Sequence, residues 1–220
     1  MNETVSGTMC GIGKTSRQQI FVIDDDDGQR DSLVWLLESH GHTVKHFSGA
    51  REFLAAWDGD PAGCLLLDVR MPGMSGLELF EELTRRHSTL PVILITGHGD
   101  VAMAVSALKK GAADFIEKPF SAEEMLKTVA NCLARESEER EYRRTRADTA
   151  LRLAQLTARE REVLDLIIAG KLNKQIADVL NISIKTVEVH RARVMEKMKV
   201  TTMASLVRRV VSAEPWESQG

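Results

Sequence analysis

Four consecutive aspartates, Asp24–Asp27, follow the apolar residues 20–23. Two unit charges about 4 Å apart repel each other by roughly 1 kcal/mol in water and about 4 kcal/mol in a partly buried site. A favourable interaction is therefore needed to offset this repulsion. An acidic surface turn would keep the carboxylates solvated, whereas Mg²⁺ would bind them directly, because it prefers carboxylate and carbonyl oxygens. The aspartates alone leave both interpretations open.

Three further chemically competent residues each stand after a similar apolar segment. Asp68 directly follows one such segment, Thr96 follows another, and Lys118 stands close behind a third. Carboxylates, a hydroxyl and an amine that all follow apolar segments are difficult to explain by a structural role alone. Whether they form one site depends on the elements that carry them.

The chain from Ile20 to about Arg135 alternates short apolar segments with segments of helical period, as in a repeating β–α fold. Helical spacing is clearest in residues 32–39, 76–86 and 101–108. Three of the expected strands are almost wholly apolar, as strands covered by helices on both faces must be. This order predicts an α/β fold with a doubly wound, five-stranded parallel sheet. The expected strands are residues 21–23, 43–47, 64–67, 92–95 and 114–116.

Ligands of such sheets bind at the carboxyl ends of the strands, near the point where the strand order reverses. We therefore expect Asp24 and Asp25 to lie near Asp68 around a shared Mg²⁺. Asp26 and Asp27 are better suited to begin the following helix, because its positive end stabilises acidic side chains.

The composition fits a folded chain of one large or two modest domains. Of the 220 residues, 43% are hydrophobic and 28% are charged, which excludes wholesale disorder and fibrous classes. Cys10, Cys64 and Cys132 lack the spacing of metal ligands and fit reduced thiols, with Cys64 buried in an apolar segment. No apolar stretch is long enough to span a bilayer, and residues 1–19 lack the core of a signal peptide. We therefore expect a cytoplasmic protein with no membrane partner.

Charge is divided unevenly along the chain. Residues 1–136 carry 13 Lys and Arg against 20 Asp and Glu, a net charge of −7, whereas residues 137–220 carry 16 against 12, a net charge of +4. A modest positive balance is compatible with nucleic acid binding without establishing it. Between the two parts, residues 134–155 are dense in both charges and lack Pro and Gly. This pattern favours a solvated helical linker, with flexible coil as the alternative.

Beyond this linker the pattern is purely helical. Thr157 and Glu160 have the spacing of a capping box, and Gly170 is expected to end the helix that they begin. A second helix over residues 173–180 and a third opened by Ser183 after a tight turn predict a helix-turn-helix.

The third helix separates into two arcs at about 100° per residue. One arc is expected to pack inward and contains Ile184, Val187, His190, Val194 and Met198. The other could enter a DNA groove, although a charged helix face is more often simply solvated. Its candidate base-reading residues are Glu188, Val189, Ala192 and Arg193, and the candidate phosphate-binding residues are Lys174, Lys185, Thr186 and Arg191.

The motifs VIDDDDGQRDSL, LLLDVRMPGMSGLEL, ILITGHGDVAMAV and GAADFIEKPF occur in this order over residues 20–134. They resemble the receiver domain of two-component response regulators, in particular the FixJ type, with its flavodoxin-like or CheY-like fold. The resemblance implies that Asp68 accepts a phosphoryl group from a sensor histidine kinase. It further implies Mg²⁺ bound by Asp25, Asp68 and the backbone carbonyl of Arg70, with Asp24 acting largely through water.

The same resemblance implies roles for four other residues. Thr96 and Lys118 would hold phosphoryl oxygens, and Phe115 would be the aromatic switch that reports phosphorylation. Lys118 would be aimed by a cis bond to the proline that follows it, and His98 and Arg70 would tune dephosphorylation. The phosphorylated receiver would form a homodimer.

The segment LTAREREVLDLIIAGKLNKQIADVLNISIKTVEVHRARVMEKMKV closely resembles the helix-turn-helix domain of the LuxR, NarL and FixJ type. The resemblance implies sequence-specific binding of double-stranded promoter DNA in the major groove by the helix over residues 183–198. It also implies that the segment TTMASLVRRVV forms a last helix used in dimer contacts, and that RNA polymerase is a partner.

Together these observations predict five segments. They are a disordered arm at residues 1–19, a receiver at 20–134, a charged helical linker at 135–155, a helix-turn-helix domain at 156–213 and a disordered tail at 214–220. The arm contains TMCGIGKTS, which lacks the first glycine of a phosphate-binding P-loop and has no strand before it.

The combined prediction is a response-regulator transcription factor that is not a metabolic enzyme and that regulates its target genes, by activation or by repression. A Mg²⁺-dependent phosphohydrolase with Asp68 as nucleophile is one alternative, but it would want a general acid where Arg70 stands. A LuxR-type factor switched by a small ligand is another. That alternative gives no reason for Asp25, Asp68, Thr96 and Lys118 to occur together.

Overall fold

The computed structural model describes residues 18–57, 59, 61–97 and 101–213. The chain divides into two compact units between Glu138 and Glu139. The expectations for the segment 1–17, which includes Cys10 and the P-loop-like motif, for His98 and for the tail 214–220 lie outside the described residues.

The first unit is a β–α repeat, as the alternation of apolar and helical segments predicts. All strands of its sheet are parallel, in the order β2-β1-β3-β4-β5, so the predicted fold class is confirmed. Its elements are β1 (Gln19–Ile23), α1 (Asp27–Ser39), β2 (Thr43–Phe47), α2 (Ala50–Ala55), β3 (Gly63–Asp68), α3 (Gly76–Arg85), β4 (Val92–Thr96), α4 (Val101–Lys109), β5 (Asp114–Glu117) and the start of α5 (Ala122–Ala154).

Strand β3 lies at the centre of two apolar layers. Successive side chains of a strand point to opposite faces. Leu65 and Leu67 accordingly pack into the core beneath one set of helices, and Cys64 and Leu66 into the core beneath the other. All six residues of the strand are buried. The predicted covering of the sheet on both faces is confirmed, as is the burial of Cys64.

Helix α1 begins where the aspartate run predicts. Asp26 is its N-cap, and the carboxylate of this residue accepts a hydrogen bond of 2.8 Å from the backbone N–H of Gln29. Asp27 is the acidic residue of the first turn. The second half of the run therefore stabilises a helix terminus, and the first half remains for the strand end.

The predicted N-terminal arm is wrong at its last two residues. Gln19 is the first residue of β1, and the side-chain amide of Gln18 donates hydrogen bonds to the carbonyl of Leu133 (2.7 Å) and the carboxylate of Glu136 (2.9 Å). A polar residue at a strand end has no periodicity of its own, so the apolar segment alone placed the strand start too late.

The second unit consists of helices. They are residues 139–154 of α5, α6 (Ala158–Ile168), α7 (Asn173–Leu180), α8 (Ile184–Lys197) and α9 (Met203–Ala213). Thr157 and Glu160 form the predicted capping box, and Gly170 follows α6 with a φ of 73°, a conformation that glycine adopts without strain. Ser183 caps α8 by accepting a hydrogen bond from the backbone N–H of Thr186, as predicted.

One burial prediction for this unit is wrong, and another holds only in part. Ile184 is expected on the inward arc of α8 but is 46% exposed, whereas Val187 in the same turn is fully buried. Residues 134–155 form the expected helix up to Ala154 and most of them are exposed, but Thr149 is fully buried and Leu153 packs against the core of the second unit. The many charged residues of this segment gave no sign of these buried positions of α5. No helix within the described ranges has the length and apolar character needed to cross a membrane.

Candidate functional site

The strand ends bring the predicted acidic residues to one edge of the sheet. Ile23 of β1 pairs with Leu67 of β3, so Asp24, directly after β1, lies beside Asp68, the last residue of β3. Asp24 is 1% exposed, Asp68 is 6% exposed, and Thr96 at the end of β4 is likewise buried. This edge is the point where the strand order reverses between β1 and β3.

Lys118 connects the two buried carboxylates. Its ammonium group donates a hydrogen bond to Oδ1 of Asp68, and its nitrogen lies 3.4 Å from Oδ2 of Asp24. The backbone N–H of Lys118 donates a 2.7 Å hydrogen bond to the carbonyl of Thr96, and the bond between Lys118 and Pro119 is cis. The ends of β1, β3, β4 and β5 thus meet at Lys118, through its ammonium for the first two strands and its backbone N–H for β4.

The pKa of Asp68 and the pKa of Lys118 are both raised, but for different reasons. Burial raises the pKa of Asp68, and the nearby charge of Asp24 raises it further, despite opposing hydrogen bonds from Lys118 and the backbone of Arg70. Burial alone would lower the pKa of Lys118, but its hydrogen bond to Asp68 and the charges of both aspartates outweigh burial and raise it. The ammonium is well compensated, whereas the carboxylate of Asp68 is not. At this edge two buried carboxylates share the ammonium of Lys118.

A divalent cation would supply positive charge to balance the carboxylates at this edge. Lys118 contacts the carboxylates of Asp24 and Asp68, and the exposed Asp25 follows Asp24 directly in the chain. Among the residues that the structure describes, no three His, Cys, Asp or Glu side chains lie close enough together to hold a metal ion. Mg²⁺ needs no such cage, because it commonly binds one or two carboxylates and keeps several waters. The predicted donors, two carboxylates and the Arg70 carbonyl, suit it chemically.

Two residues that support the site were not predicted from the sequence. Arg30 of α1 is buried; it donates a 2.8 Å hydrogen bond to the carbonyl of Asp24 and forms an ion pair with Asp27. Gly76 opens α3 so close to β3 that a Cβ atom would stand 2.1 Å from the carbonyl oxygen of Asp68. Both lie within the quoted motifs, but an arginine in an amphipathic helix and a glycine at a helix start give no signal of such contacts by themselves.

The predicted switch residues lie on adjacent strands. Phe115 pairs with Leu94 in the β4–β5 register, two residues before Thr96, and its half-buried ring packs against the core. The hydroxyl of Thr96 donates a 3.1 Å hydrogen bond to the carbonyl of Gly97. This hydroxyl is thus engaged locally rather than with Asp68.

The candidate DNA-binding residues form a largely exposed surface of the second unit. The capping of α8 by Ser183 fixes where this surface begins. The residues of the outer arc are exposed, as predicted, and Val189 is an apolar side chain with 45% exposure. The exposed candidates are Lys174, Lys185, Glu188, Val189, Ala192 and Arg193, and the half-buried ones are Thr186 and Arg191.

Each unit of the chain matches a known family. Residues 20–130 match the response regulator receiver domain, and residues 154–210 match the bacterial regulatory proteins of the luxR family. The chain belongs to the response regulators. The predicted resemblance in both parts is therefore confirmed.

Similar proteins support this membership over nearly the whole chain. The transcriptional regulatory protein FixJ of Azorhizobium caulinodans is 47% identical over 194 residues, covering 88% of this response regulator and 92% of the relative. The solved structure of the response regulator StyR has a TM-score of 0.79 at 43% identity and covers 88% of this chain and 98% of its own. Full-length FixJ from B. japonicum has a TM-score of 0.58 at 42% identity, with coverages of 90% and 98%. The chain is thus a response-regulator transcription factor and not a metabolic enzyme.

Proposed function

We propose that Asp68 of this response regulator accepts a phosphoryl group from a sensor histidine kinase and that phosphorylation controls DNA binding. The observation that carries the proposal is the buried carboxylate of Asp68, held by Lys118 at the edge of the sheet. In the transfer, a carboxylate oxygen of Asp68 attacks phosphorus and the bond to the kinase histidine breaks. The product is an aspartyl phosphate.

The residues around Asp68 would position the reaction and balance its charge. Such transfers need little covalent help, because catalysis consists of orientation and of neutralising charge on the phosphoryl oxygens. Lys118 and Thr96 would hold these oxygens. Asp25, Asp68 and the Arg70 carbonyl would bind Mg²⁺, which supplies further positive charge when bound, and Asp24 would act largely through water.

Phosphorylation would be read out through Thr96 and Phe115. An aspartyl phosphate adds roughly one to two negative charges and new acceptor oxygens at Asp68. Thr96 would exchange its bond to Gly97 for a phosphoryl oxygen, and Phe115 would move into the vacated space. The receiver would then form a homodimer.

The DNA-binding unit would place α8 in the major groove of promoter DNA. Arg193 suits a guanine edge, Val189 and Ala192 suit thymine methyl groups, and Glu188 suits cytosine. The remaining candidates, Lys174, Lys185, Thr186 and Arg191, would contact phosphates. We propose that the bound dimer activates transcription with RNA polymerase as its partner.

The predicted domain division belongs to this proposal. The receiver would extend over residues 20–134 together with Gln18 and Gln19, and the DNA-binding domain over 156–213. The charged segment 135–155 would lie between them, with its residues from 139 onward in the second compact unit. Since the protein would bind promoter DNA, it would act in the cytoplasm.

The proposal is tested by the affinity of the full-length protein for a promoter duplex, with and without a small phosphodonor and Mg²⁺. We expect the phosphodonor to raise the affinity of the wild type and to leave Asp68→Asn unchanged. Equal affinity of the two treated proteins would refute control by phosphorylation. A phosphohydrolase would instead turn over phosphodonor repeatedly, which Arg70 at the position of the general acid disfavours.

A further inference from the structure

The C-terminal end of the candidate recognition helix α8 is held by side chains from two other helices. The last carbonyls of a helix have no partners within it. Arg152 of α5 lies with Nη1 3.4 Å from the carbonyl oxygen of Lys197, and Arg209 of α9 donates a 2.9 Å hydrogen bond to the carbonyl of Met198. Positive charge at this end also interacts favourably with the helix dipole.

A single carboxylate orients both arginines. Oδ2 of Asp148 accepts a 2.8 Å hydrogen bond from Nε of Arg152 and also pairs with Nη2 of Arg209. The hydrogen bond from Arg152 and the charges of both arginines lower the pKa of Asp148. This carboxylate therefore stays ionised at neutral pH. Removing its charge would release two guanidinium groups at once.

Other contacts join the same part of α5 to α8 and α9. Nε of Arg209 lies 3.3 Å from the hydroxyl oxygen of the fully buried Thr149. The ammonium of Lys197 donates hydrogen bonds to the carbonyl of Gln155 (3.2 Å) and to Glu160 (2.6 Å). The end of α8 thus sits in a polar network that begins in the segment the sequence assigns to a linker.

We propose that Asp148 is a positioning residue for DNA recognition, because it fixes the end of α8 through Arg152 and Arg209. The inference rests on the proposed function of α8 in the major groove. Asp148 carries negative charge in a unit proposed to bind a polyanion, so electrostatics alone would favour its removal. A positioning role predicts the opposite effect on specific binding.

The electrostatic effect and the positioning effect of removing Asp148 therefore change DNA affinity in opposite directions, and the experiment measures which one is observed. The probes are a duplex enriched from a random-sequence library by the phosphodonor-treated wild type and an unselected duplex of equal length. The full-length variants are Asp148→Asn and, as a matched control, Asp165→Asn. Asp165 pairs with Arg161 on the surface of α6, so its substitution makes the same change in charge without releasing α8.

We expect Asp148→Asn to bind the selected duplex about tenfold more weakly, an effect within the range of coupled side chains. The unselected duplex should be bound equally or more tightly, and Asp165→Asn should bind both duplexes at least as tightly as the wild type. Asp148→Glu keeps the carboxylate and should recover most of the affinity. Equal or tighter binding of the selected duplex by a folded Asp148→Asn would overturn the inference.

Arg152→Gln covers the case in which circular dichroism finds Asp148→Asn unfolded. It removes only one of the two contacts to α8, and Arg161→Gln is its charge-matched control. Greater loss of specific affinity in Arg152→Gln than in Arg161→Gln supports the inference, and equal loss overturns it. If the wild type enriches no duplex, the proposed function fails first. A phosphoryl mass gain equal to that of the wild type would separate any effect on α8 from an effect on Asp68.

Discussion

The ammonium of Lys118 is hydrogen-bonded to Asp68 and lies 3.4 Å from the carboxylate of Asp24. One amine thus partly neutralises two buried carboxylates, and the local charge remains negative. Substitution of the amine, of an acidic residue or of the phosphoacceptor should have separate consequences.

Lys118→Met should lower the free energy of unfolding by about 2 kcal/mol at neutral pH in the absence of Mg²⁺, because two buried carboxylates lose their common partner. Chemical denaturation measures the loss. Lys110→Met is the matched control, since Lys110 pairs with Glu81 on the surface, and we expect it to cost under about 1 kcal/mol. Equal losses in the two variants would mean that Lys118 contributes no more than a surface lysine.

Mg²⁺ should raise the thermal unfolding midpoint of the wild type, because a ligand that binds only the folded state stabilises it. At a tenfold excess over the dissociation constant the gain is about 1.4 kcal/mol. Asp25→Asn should lose most of this gain. Asp31→Asn, an exposed change of equal charge on α1, should keep it. A midpoint that rises equally in both variants would exclude Asp25 as a ligand.

The sequence was sufficient to predict the sheet and its chemistry because both depend on local signals. Apolar segments give the strands, and parallel strands place the residues after them, such as Asp24 and Asp68, at one edge. Helix caps at Asp26, Thr157 and Ser183 were equally readable, because a cap bonds to residues two or three positions away.

Contacts between elements distant in sequence were not predictable in this way. Helix α2 has only six residues, too few for a clear helical period. Arg30 and Gly76 matter through contacts with a strand, and Asp148 through contacts 61 residues along the chain. Ile184 has the right spacing for the core, but Val187 rather than Ile184 packs into it at the start of α8.

Glu160 should make stability depend on acid. Its hydrogen bonds, chiefly from Lys197 and then from the backbone of Thr157, lower its pKa from 4.5 to about 2. A depressed pKa contributes stability that is complete above pH 4.5 and is lost as the pH falls towards 2. Glu160→Gln keeps an oxygen for the Thr157 cap and removes the charge.

We therefore expect Glu160→Gln to be less stable than the wild type by on the order of 2 kcal/mol at neutral pH. The difference should shrink steadily at acidic pH. Denaturant midpoints of both proteins across this range provide the measurement. A difference that does not vary with pH would assign the stabilisation to packing rather than to the charge of Glu160.

Arg193 and Lys185 should affect DNA binding differently. Arg193→Ala should cost about 1–3 kcal/mol on a selected duplex and little on an unselected one, because the arginine is proposed to read a base. Lys185→Ala should weaken binding to both duplexes similarly. It should also reduce the slope of log affinity against log salt concentration by about 1, as expected for a phosphate contact. Titrations at several salt concentrations distinguish the roles. Identical salt slopes and identical specificity in the two variants would contradict the assignment.

The central claim is that Asp68 is the phosphoacceptor, and intact-mass spectrometry tests it most directly. Wild type and Asp68→Asn are incubated with a small phosphodonor and Mg²⁺ and then weighed without digestion. We predict one added phosphoryl group in the wild type and none in Asp68→Asn. Equal addition to both proteins, or no addition to the wild type, would contradict the account.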